Sequence, residues 1–301
     1  MKALIILFLF VLLPEMFLAQ HYESFATEDG RISYQTFGTG EPLLIINGGP
    51  GMNSHGFAAL AKILSESNKS IIYDQRGTGR SKLKEPGTST LSLELMLDDI
   101  EALREHLDFE QWIILGHSFG GMLAYAYAAK YPHRVKAMIQ SHSGGMDLEI
   151  TDSFDILSRL DQTERDSLTY YSTRISLGDT SREMALKRAR FLAAAYLYDK
   201  SLAPRIAERL TQGNNLINTI LWNDLARIGF DVTEEMSRFS KPVLILTGKN
   251  EVAPVHIAEK AHATLPDSKL VVMPRCGHYG WLERPDIYLR EVKDFLKSNS
   301  V

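Results

Sequence analysis

The sequence has a single cysteine, Cys276, in 301 residues. One thiol cannot form a disulfide within the chain, which argues against a small extracellular module stapled by cross-links. An excess of either charge is also missing: lysine and arginine number 33, aspartate and glutamate number 37, and the formal net charge is −4. No basic stripe is formed, so the sequence gives no support to a nucleic-acid partner.

The signatures of cofactor and metal sites are missing as well. The sequence contains no H-E-x-x-H motif, no cluster of cysteine and histidine, and no G-x-G-x-x-G turn after a strand. Those patterns are typical of zinc sites and dinucleotide sites. The sequence therefore implies neither a cofactor nor a metal ion.

A long apolar run occurs at the N-terminus. Lys2 precedes an apolar stretch over residues 3–13, and a small residue, Ala19, ends the following segment. This order is typical of an export signal, and the run is too short to span a bilayer comfortably. Phe17 is unfavourable at the third position before a cut after Ala19, so a retained anchor is the alternative to a cleaved signal. We expect residues 1–19 to direct export to the periplasm or medium, and to be the one means of membrane attachment.

The remaining chain is long enough for one large domain with an insertion. Short apolar runs of strand length alternate with helical patterns, which predicts an α/β fold with a mostly parallel, doubly wound sheet. An Asp-Gly pair at 29–30 predicts a hairpin before this sheet. The buried strands are predicted at 42–46, 70–73, 111–115, 135–140, 242–246 and 269–273.

One segment interrupts the alternation. Residues 147–238 are polar, have helical periodicity and contain no plausible central strand. We interpret them as a helical cap inserted into a main domain formed by residues 20–146 and 239–301. In an open α/β sheet, functional residues lie on loops beyond the carboxyl ends of the strands.

The most informative motif is G-H-S-F-G at 116–120, between a predicted strand and a predicted helix. This is the G-x-S-x-G pattern in the strand-turn-helix context of a nucleophile elbow. A serine hydroxyl is a weak nucleophile unless it is held in the open beside a base. Ser118 is therefore the candidate nucleophile.

Two loops at later strand ends supply the candidate base and acid. His278 follows the last predicted strand, and an imidazole can accept the serine proton and return it to a leaving group. Glu251 follows the strand at 242–246, and the chain order Ser118, Glu251, His278 is that of a Ser-Asp/Glu-His triad. Asp147, after the strand at 135–140, is the alternative acid. Cys276 is interpreted as a buried small residue.

The candidate oxyanion hole consists of two backbone N–H groups. One belongs to Phe119, the residue after the nucleophile, and the other to Gly49 in the glycine-rich loop at 47–51. A second polar loop, D-Q-R-G-T-G-R-S at 74–81, lacks the ending of a phosphate-binding loop. We expect Asp74 and Arg76 to hold neighbouring loops through buried polar contacts.

Together these motifs resemble the proline iminopeptidase family of α/β-hydrolases. The resemblance rests on N-G-G-P-G at 47–51, on the loop at 74–81, on G-H-S-F-G-G at 116–121, and on G-H at 277–278 followed by E-R-P at 283–285. It implies an α/β-hydrolase fold with a helical cap, Ser118 as nucleophile and His278 as base. It also implies a serine peptidase that releases an N-terminal residue, often proline, from short peptides, with acidic cap residues that hold the substrate's amino group.

The sequence departs from the family pattern at several points. Asn47 stands where the family has His, and Glu251 where it has Asp. The loop from Gly248 to Pro254 is one residue short, which we expect the longer Glu side chain to compensate. The family's Trp-x-x-Trp-Glu stretch is missing from the cap. Candidate acidic residues for the amino group are Asp155, Asp199 and Asp224.

Three functions compete at this stage. The first is a cap-gated aminopeptidase for short peptides, and the second is an esterase or lipase-like hydrolase that applies the same triad to small uncharged esters. Unpaired carboxylates in the cap pocket would favour the first, because an unpaired buried ammonium is costly. The third, a binding protein on a hydrolase fold, would require a broken triad. Relatives with an aspartate nucleophile are disfavoured because position 118 is serine.

Overall fold

The computed structural model describes residues 22–153 and 155–300. The expected export signal at 1–19 lies outside these residues. In the described part of the chain, no helix combines the length and the apolar character that crossing a membrane would require.

Eight strands form one sheet in the order β1-β2-β4-β3-β5-β6-β7-β8. The first two form the predicted hairpin, and β2 runs antiparallel to β4, whereas the pairs from β4 through β3 to β8 are all parallel. The prediction of a mostly parallel sheet is confirmed. The strands are β1 (Glu23–Thr27), β2 (Gly30–Phe37), β3 (Glu41–Ile46), β4 (Asn68–Tyr73), β5 (Trp112–His117), β6 (Val135–Ser141), β7 (Val243–Gly248) and β8 (Ser268–Met273).

Helices cover both faces of the sheet. Those of the main domain are α1 (Ala58–Leu64), α2 (Leu93–His106), α3 (Phe119–Lys130), α10 (Val255–Thr264), α11 (Gly280–Glu283) and α12 (Pro285–Asn299). Successive residues of a strand point to opposite faces. Leu44 and Ile46 therefore join the core with α2 and α3, while Leu43 and Ile45 join the core with α1 and α12. This double burial explains why β3 is an uninterrupted apolar run.

The segment between β6 and β7 is helical, as predicted. It comprises α4 (Ile150–Ser153), α5 (Gln162–Ser176), α6 (Arg182–Tyr196), α7 (Ala203–Leu210), α8 (Asn215–Ile228) and α9 (Thr233–Ser237). Helix α5 begins with a capping box between Asp161 and Glu164, and α8 ends at Gly229 with φ of +61°. Both devices satisfy backbone groups that a helix end leaves unpaired. We keep the name cap for residues 147–238.

The loop at 74–81 makes the buried polar contacts that its sequence suggested. The Asp74 carboxylate accepts hydrogen bonds from the Ser54 N–H at 2.9 Å and hydroxyl at 2.8 Å, which ties the loop after β4 to the loop after β3. Arg76 donates to both carboxylate oxygens of Asp99 on α2, at 2.7 and 2.8 Å. Both members of this pair are buried.

The buried Arg76–Asp99 pair predicts a large stability effect. We expect Arg76→Ala to lower the free energy of unfolding by about 3–5 kcal/mol, because the variant leaves a buried carboxylate without its partner. Arg134→Ala is the matched control: the Arg134 side chain is 40% exposed, its Nε lies 3.5 Å from Glu101 Oε1, and the expected loss is below about 1 kcal/mol. Urea denaturation measures both. Equal losses in the two variants would contradict this prediction.

Candidate active site

Ser118 occupies the sharp turn between β5 and α3. Its backbone has φ of +57° and ψ of −123°, a conformation that a residue with a side chain rarely adopts. The Ser118 N–H donates to the Ser141 carbonyl at 3.1 Å, and its carbonyl accepts from the Gly121 N–H at 2.9 Å. The surrounding backbone therefore holds the strained residue in place and leaves its side chain half-buried at the end of the strand.

Two glycines make this turn possible. A Cβ atom at Gly116 would lie 2.4 Å from the Gly120 carbonyl oxygen, and one at Gly120 would lie 2.2 Å from the Ile46 carbonyl oxygen. Both contacts are far inside van der Waals distance, with backbone atoms that cannot move aside. The G-x-S-x-G spacing is thus a packing requirement where β5, α3 and β3 meet.

Glu251 and His278 meet beyond the ends of β7 and β8. His278 Nδ1 lies 2.6 Å from Glu251 Oε1, and both side chains are almost fully buried. The same oxygen accepts the Val252 N–H at 2.7 Å. Asp147, the alternative acid, instead pairs with Lys260 at 2.6 Å. The structure therefore places Glu251, and not Asp147, against the candidate base.

Ser118 and His278 line one small cavity of about 40 Å³. Because His278 Nδ1 faces a carboxylate, that nitrogen carries the proton and Nε2 keeps its lone pair. Among the described residues, the Ser118 hydroxyl makes no hydrogen bond. In unliganded enzymes, hydrogen bonds between nucleophile and base are often long and shorten when substrate binds.

His142 is a residue of the candidate site that the sequence analysis missed. It follows β6 with φ of +50°, and its Nδ1 is hydrogen-bonded to Glu251 Oε2. The Gly280 N–H donates to His142 Nε2 at 3.1 Å, so Nδ1 carries the proton and donates to the carboxylate. Glu251 thus lies between two imidazole rings. The motif S-H-S at 141–143 carries no signal for this contact, because the contact depends on how β6 and β7 pair.

The three side chains have the spacing of a metal-ligand set, since their donor atoms all lie within 4.8 Å of one another. The hydrogen bonds use those atoms differently. His142 accepts at one ring nitrogen and donates at the other, so it has no free lone pair to offer an ion. The hydrogen bonds from the two imidazole rings to Glu251 hold this cluster together.

Glu251 remains ionised in this environment. Burial alone would raise the pKa of its carboxyl, but the neighbouring His278 and His142 rings, each hydrogen-bonded to it, hold the pKa well below the usual glutamate range. A permanently charged carboxylate can orient the His278 ring and stabilise the imidazolium form. In contrast, burial raises the pKa of the Cys276 thiol, which is consistent with its interpretation as a small core residue.

The loop after β3 lies beside Ser118. Gly49 has φ of +73°, and it lines cavities together with Ser118. The Asn47 side chain donates to the Gly48 carbonyl at 3.1 Å and the Met52 carbonyl at 3.0 Å, so it braces this loop from within. Phe119 is the first residue of α3, where helical N–H groups have no intrahelical partner. Both candidate oxyanion donors thus border the space next to the serine.

A larger cavity of about 350 Å³ also borders Ser118. Its wall is mostly apolar, with Phe119, Met122, Ile150 and Trp222 among its members. Besides Ser118, its polar side chains include Thr151, Tyr196 and Asn218. No carboxylate belongs to the described residues that line it. Its volume lies within the range of small-molecule binding pockets.

The three candidate acidic residues of the cap have other partners. Asp155 accepts the Ser158 N–H at 3.1 Å and Asp199 accepts the Ser201 N–H at 3.0 Å. Asp224 accepts the Leu93 N–H at 2.8 Å and binds Arg227. These contacts fix local turns and helix ends, and none of the three residues lines the cavity beside Ser118.

The cap contacts the loops that carry Glu251 and His278 through its backbone and one arginine. The His278 N–H donates to the Tyr196 carbonyl at 2.7 Å, and Arg159 Nη1 donates to the Glu251 carbonyl at 3.0 Å. Glu283 accepts the Tyr198 N–H and the Gly277 N–H, each at 2.7 Å. Sequence reasoning did not identify Arg159, because an arginine in a polar helical stretch has no distinguishing pattern.

Known proteins resemble this chain along most of its length. A family model described as alpha/beta hydrolase fold matches residues 41–285. The proline iminopeptidase of Saccharolobus solfataricus is 28% identical over 273 residues, which cover 87% of each chain. The proline iminopeptidase of Heyndrickxia coagulans is 28% identical, over 89% of this chain and 96% of the relative. The resemblance indicated by the motifs is confirmed.

Solved structures share the fold at lower sequence identity. A meta-cleavage product hydrolase from Pseudomonas fluorescens superposes with a TM-score of 0.73 at 22% identity, over 92% of this chain and 97% of the other. A thermophilic esterase from Thermogutta terrifontis gives a TM-score of 0.69 at 21% identity, over 93% of this chain and 100% of the esterase chain. These similarities confirm the predicted fold.

The hydrogen bonds between Glu251 and the rings of His142 and His278 predict that the free energy of unfolding depends on pH. His142→Leu removes one N–H donor, so the pKa of the Glu251 carboxyl rises toward the ordinary value of about 4.3. A depressed carboxyl pKa stabilises the fold above the unfolded-state pKa, and this stabilisation is lost as the pH falls through the folded-state pKa. We expect wild type to exceed His142→Leu in urea midpoint at neutral pH, and the gap to narrow below about pH 4.5.

His142→Asn is the matched control for this measurement. Asparagine restores an N–H donor and tolerates positive φ. Its urea midpoint should lie closer to that of wild type at neutral pH. The difference in midpoint between His142→Asn and His142→Leu should narrow below about pH 4.5. If the difference in urea midpoint between the two variants stays constant as the pH falls, the hydrogen bond to Glu251 is not the source of that difference.

Proposed function

The chain belongs to the alpha/beta hydrolase family, and on this premise we propose that it is a serine hydrolase with Ser118 as nucleophile, His278 as general base and Glu251 as acid. The observation that carries this proposal is the convergence of the three residues. A strained elbow presents Ser118 to a cavity that His278 also lines, and Glu251 lies 2.6 Å behind the imidazole. An elbow, a base and an oriented acid are the parts that nucleophilic acyl transfer needs.

The first half of the reaction forms an acyl-enzyme. His278 Nε2 accepts the Ser118 hydroxyl proton as the oxygen attacks the substrate carbonyl carbon. The carbonyl oxygen becomes negatively charged, and the N–H groups of Gly49 and Phe119 stabilise it. The imidazolium then gives its proton to the leaving group as the bond between the carbonyl carbon and that group breaks.

The second half returns the enzyme to its starting state. A water molecule gives a proton to His278 Nε2 and attacks the acyl carbon. The bond to Ser118 breaks, and the serine oxygen recovers its proton from the imidazolium. Throughout, the ionised Glu251 carboxylate holds the ring in the tautomer whose Nε2 faces Ser118.

For the substrate, we propose the N-terminal residue of a short peptide. The support comes from the relatives named proline iminopeptidase, which match this chain over 87–89% of its length. The larger cavity, about 350 Å³, would hold the N-terminal residue. Thr151 and Asn218 offer side-chain oxygens in that cavity as hydrogen-bond acceptors for an amino group.

A specific observation favours a second candidate, the hydrolysis of small uncharged esters. The described residues that line the larger cavity include no carboxylate, and its wall is mostly apolar. An ammonium group transferred there would lack a charged partner, which is costly in a buried site. An ester would meet no such penalty, and the same triad would cleave it.

The assignment of Ser118 predicts the outcome of active-site labelling. We expect a fluorophosphonate probe to label wild type and not Ser118→Ala, with kcat reduced by about 10⁴–10⁶-fold in the variant. Ser298→Ala, which alters an exposed serine on α12, is the control and should label normally. Labelling of Ser118→Ala at the wild-type level would exclude Ser118 as the nucleophile.

A substrate panel separates the two candidate functions. Prolyl and alanyl aminoacyl-coumarins are compared with a short p-nitrophenyl ester, and kcat/KM is measured for each. We expect turnover of the aminoacyl amides, and Ser118→Ala should abolish it. Turnover of the ester without any turnover of the amides would reject the peptidase proposal in favour of the esterase.

A further inference from the structure

Two cavities meet at Ser118, and they differ in what lines them. The larger one is mostly apolar, whereas the small one is bordered by His278 and by the guanidinium-bearing residue Arg209 of α7. His278 lines only the small cavity. Because the base must give its proton to the leaving group, the leaving group lies on the His278 side. The acyl group therefore occupies the larger cavity and the leaving group enters the small one.

Arg209 is a buried cation with few strong partners. The residue is only 8% exposed, and Nη2 donates to the Gly48 carbonyl at 2.7 Å. Its other contacts are weaker: Nη1 lies 3.2 Å from Met52 Sδ and 3.4 Å from the Tyr279 hydroxyl, and Nε has no hydrogen-bond partner. The guanidinium carbon also lies 5.2 Å from the centre of the Phe57 ring, a cation–π contact. Within residues 22–153 and 155–300, no carboxylate forms an ion pair with it.

The surroundings of Arg209 supply a carbonyl acceptor and an aromatic face, but no described residue supplies a counter-ion. A buried charge without a counter-ion costs several kcal/mol, and a paired anion restores much of that loss. Glu251 cannot serve, because His142, His278 and the Val252 N–H already use its two carboxylate oxygens. The small cavity is therefore a positively charged space next to the nucleophile.

We propose that Arg209 binds a carboxylate on the leaving group, so that the preferred substrates are dipeptides whose C-terminal carboxylate enters the small cavity. The dipeptide part rests on the proposed peptidase function, whereas the anion site itself does not. In a dipeptide the carboxyl carbon is two bonds from the scissile nitrogen, which matches a cation and a nucleophile that line the same cavity. Its volume of about 40 Å³ exceeds the ~10–15 Å³ that a single water molecule requires, so it has room for a small polar group such as a carboxylate.

The test compares substrates that differ only in this charge. Ala-Gly and its C-terminal amide are assayed with wild type, Arg209→Gln and Arg205→Gln. Arg205 is an exposed arginine on the same helix and is the matched control. For wild type and Arg205→Gln we expect kcat/KM to favour the acid by about 10–100-fold, the range of a charge-assisted hydrogen bond of about 1.5–3 kcal/mol. Arg209→Gln should reduce this ratio to near one.

The acid-to-amide ratio separates substrate binding from a structural role. Arg209 also contacts the Gly48 carbonyl, so its loss can slow every substrate. A purely structural role would lower the rates for acid and amide equally and leave the ratio intact. Equal kcat/KM for acid and amide in wild type, or an unchanged ratio in Arg209→Gln, would overturn the proposal.

An ester pair makes failure of the anion site distinguishable from failure of the peptidase proposal. The butyryl esters of glycolate and of glycolamide carry the same difference in charge on the leaving group. Preference for the glycolate ester without any peptide turnover would reject the peptidase and keep the anion site. If neither pair is turned over, calorimetric titration with free glycolate decides: binding to wild type that is lost in Arg209→Gln supports the site, and no binding to wild type overturns it.

Discussion

The structure around the candidate active site depends on one buried carboxylate, that of Glu251. Glu251 lies in the interior, where an isolated charge is strongly disfavoured, and it is stable there because both oxygens are hydrogen-bonded. Its partners come from the loops after β6 and β8, while Glu251 itself follows β7. Three neighbouring strands of the parallel sheet are thus tied together at their carboxyl ends by one side chain. The same hydrogen bonds stabilise the buried charge of Glu251 and align the ring of the candidate base.

The cap extends this constraint beyond the sheet. Arg159 binds the Glu251 carbonyl, the Tyr196 carbonyl accepts the His278 N–H, and Arg209 binds the Gly48 carbonyl. Each contact joins a cap residue to a different loop of the site. A shift of the cap would therefore disturb Glu251, His278 and the loop after β3 together. The elbow at Ser118, in contrast, is held by glycine packing between β3, β5 and α3.

Much of this arrangement follows from local sequence. The run at 42–46 is apolar on both faces of the strand because helices cover β3 on both sides. An uninterrupted apolar run of this length predicts a central strand. Gly116 and Gly120 were recognisable because a strand-to-helix turn leaves no room for Cβ atoms. Glu251 and His278 were nominated by chain order, which works because parallel strands bring successive carboxyl-end loops to one edge.

The residues that sequence reasoning missed depend on contacts between distant segments. His142 reaches Glu251 only because β6 and β7 pair in one register, with Ser141 opposite Leu246. Arg209 reaches the site only because α7 docks against the loop after β3. Neither residue belongs to a local pattern, and a histidine or an arginine has many ordinary roles on a surface. The candidate carboxylates of the cap do not line the cavity beside Ser118, because Asp155 and Asp199 accept N–H groups of their own turns and Asp224 accepts the Leu93 N–H at the start of α2.

The charge distribution bears on why a peptide would be cut next to its N-terminus. A dipeptide carries an ammonium at one end and a carboxylate at the other. On the proposed assignment, Arg209 attracts the carboxylate into the small cavity and repels the ammonium, which must then occupy the larger one. Unit charges about 5–8 Å apart interact by about 2–3 kcal/mol at an effective dielectric constant near 20. A peptide bound in the reverse direction would place its ammonium near Arg209, and a repulsion of that size would replace the attraction to the carboxylate. A single cation on the leaving-group side can therefore set the direction of binding, even where the acyl cavity has no carboxylate to receive the amino group.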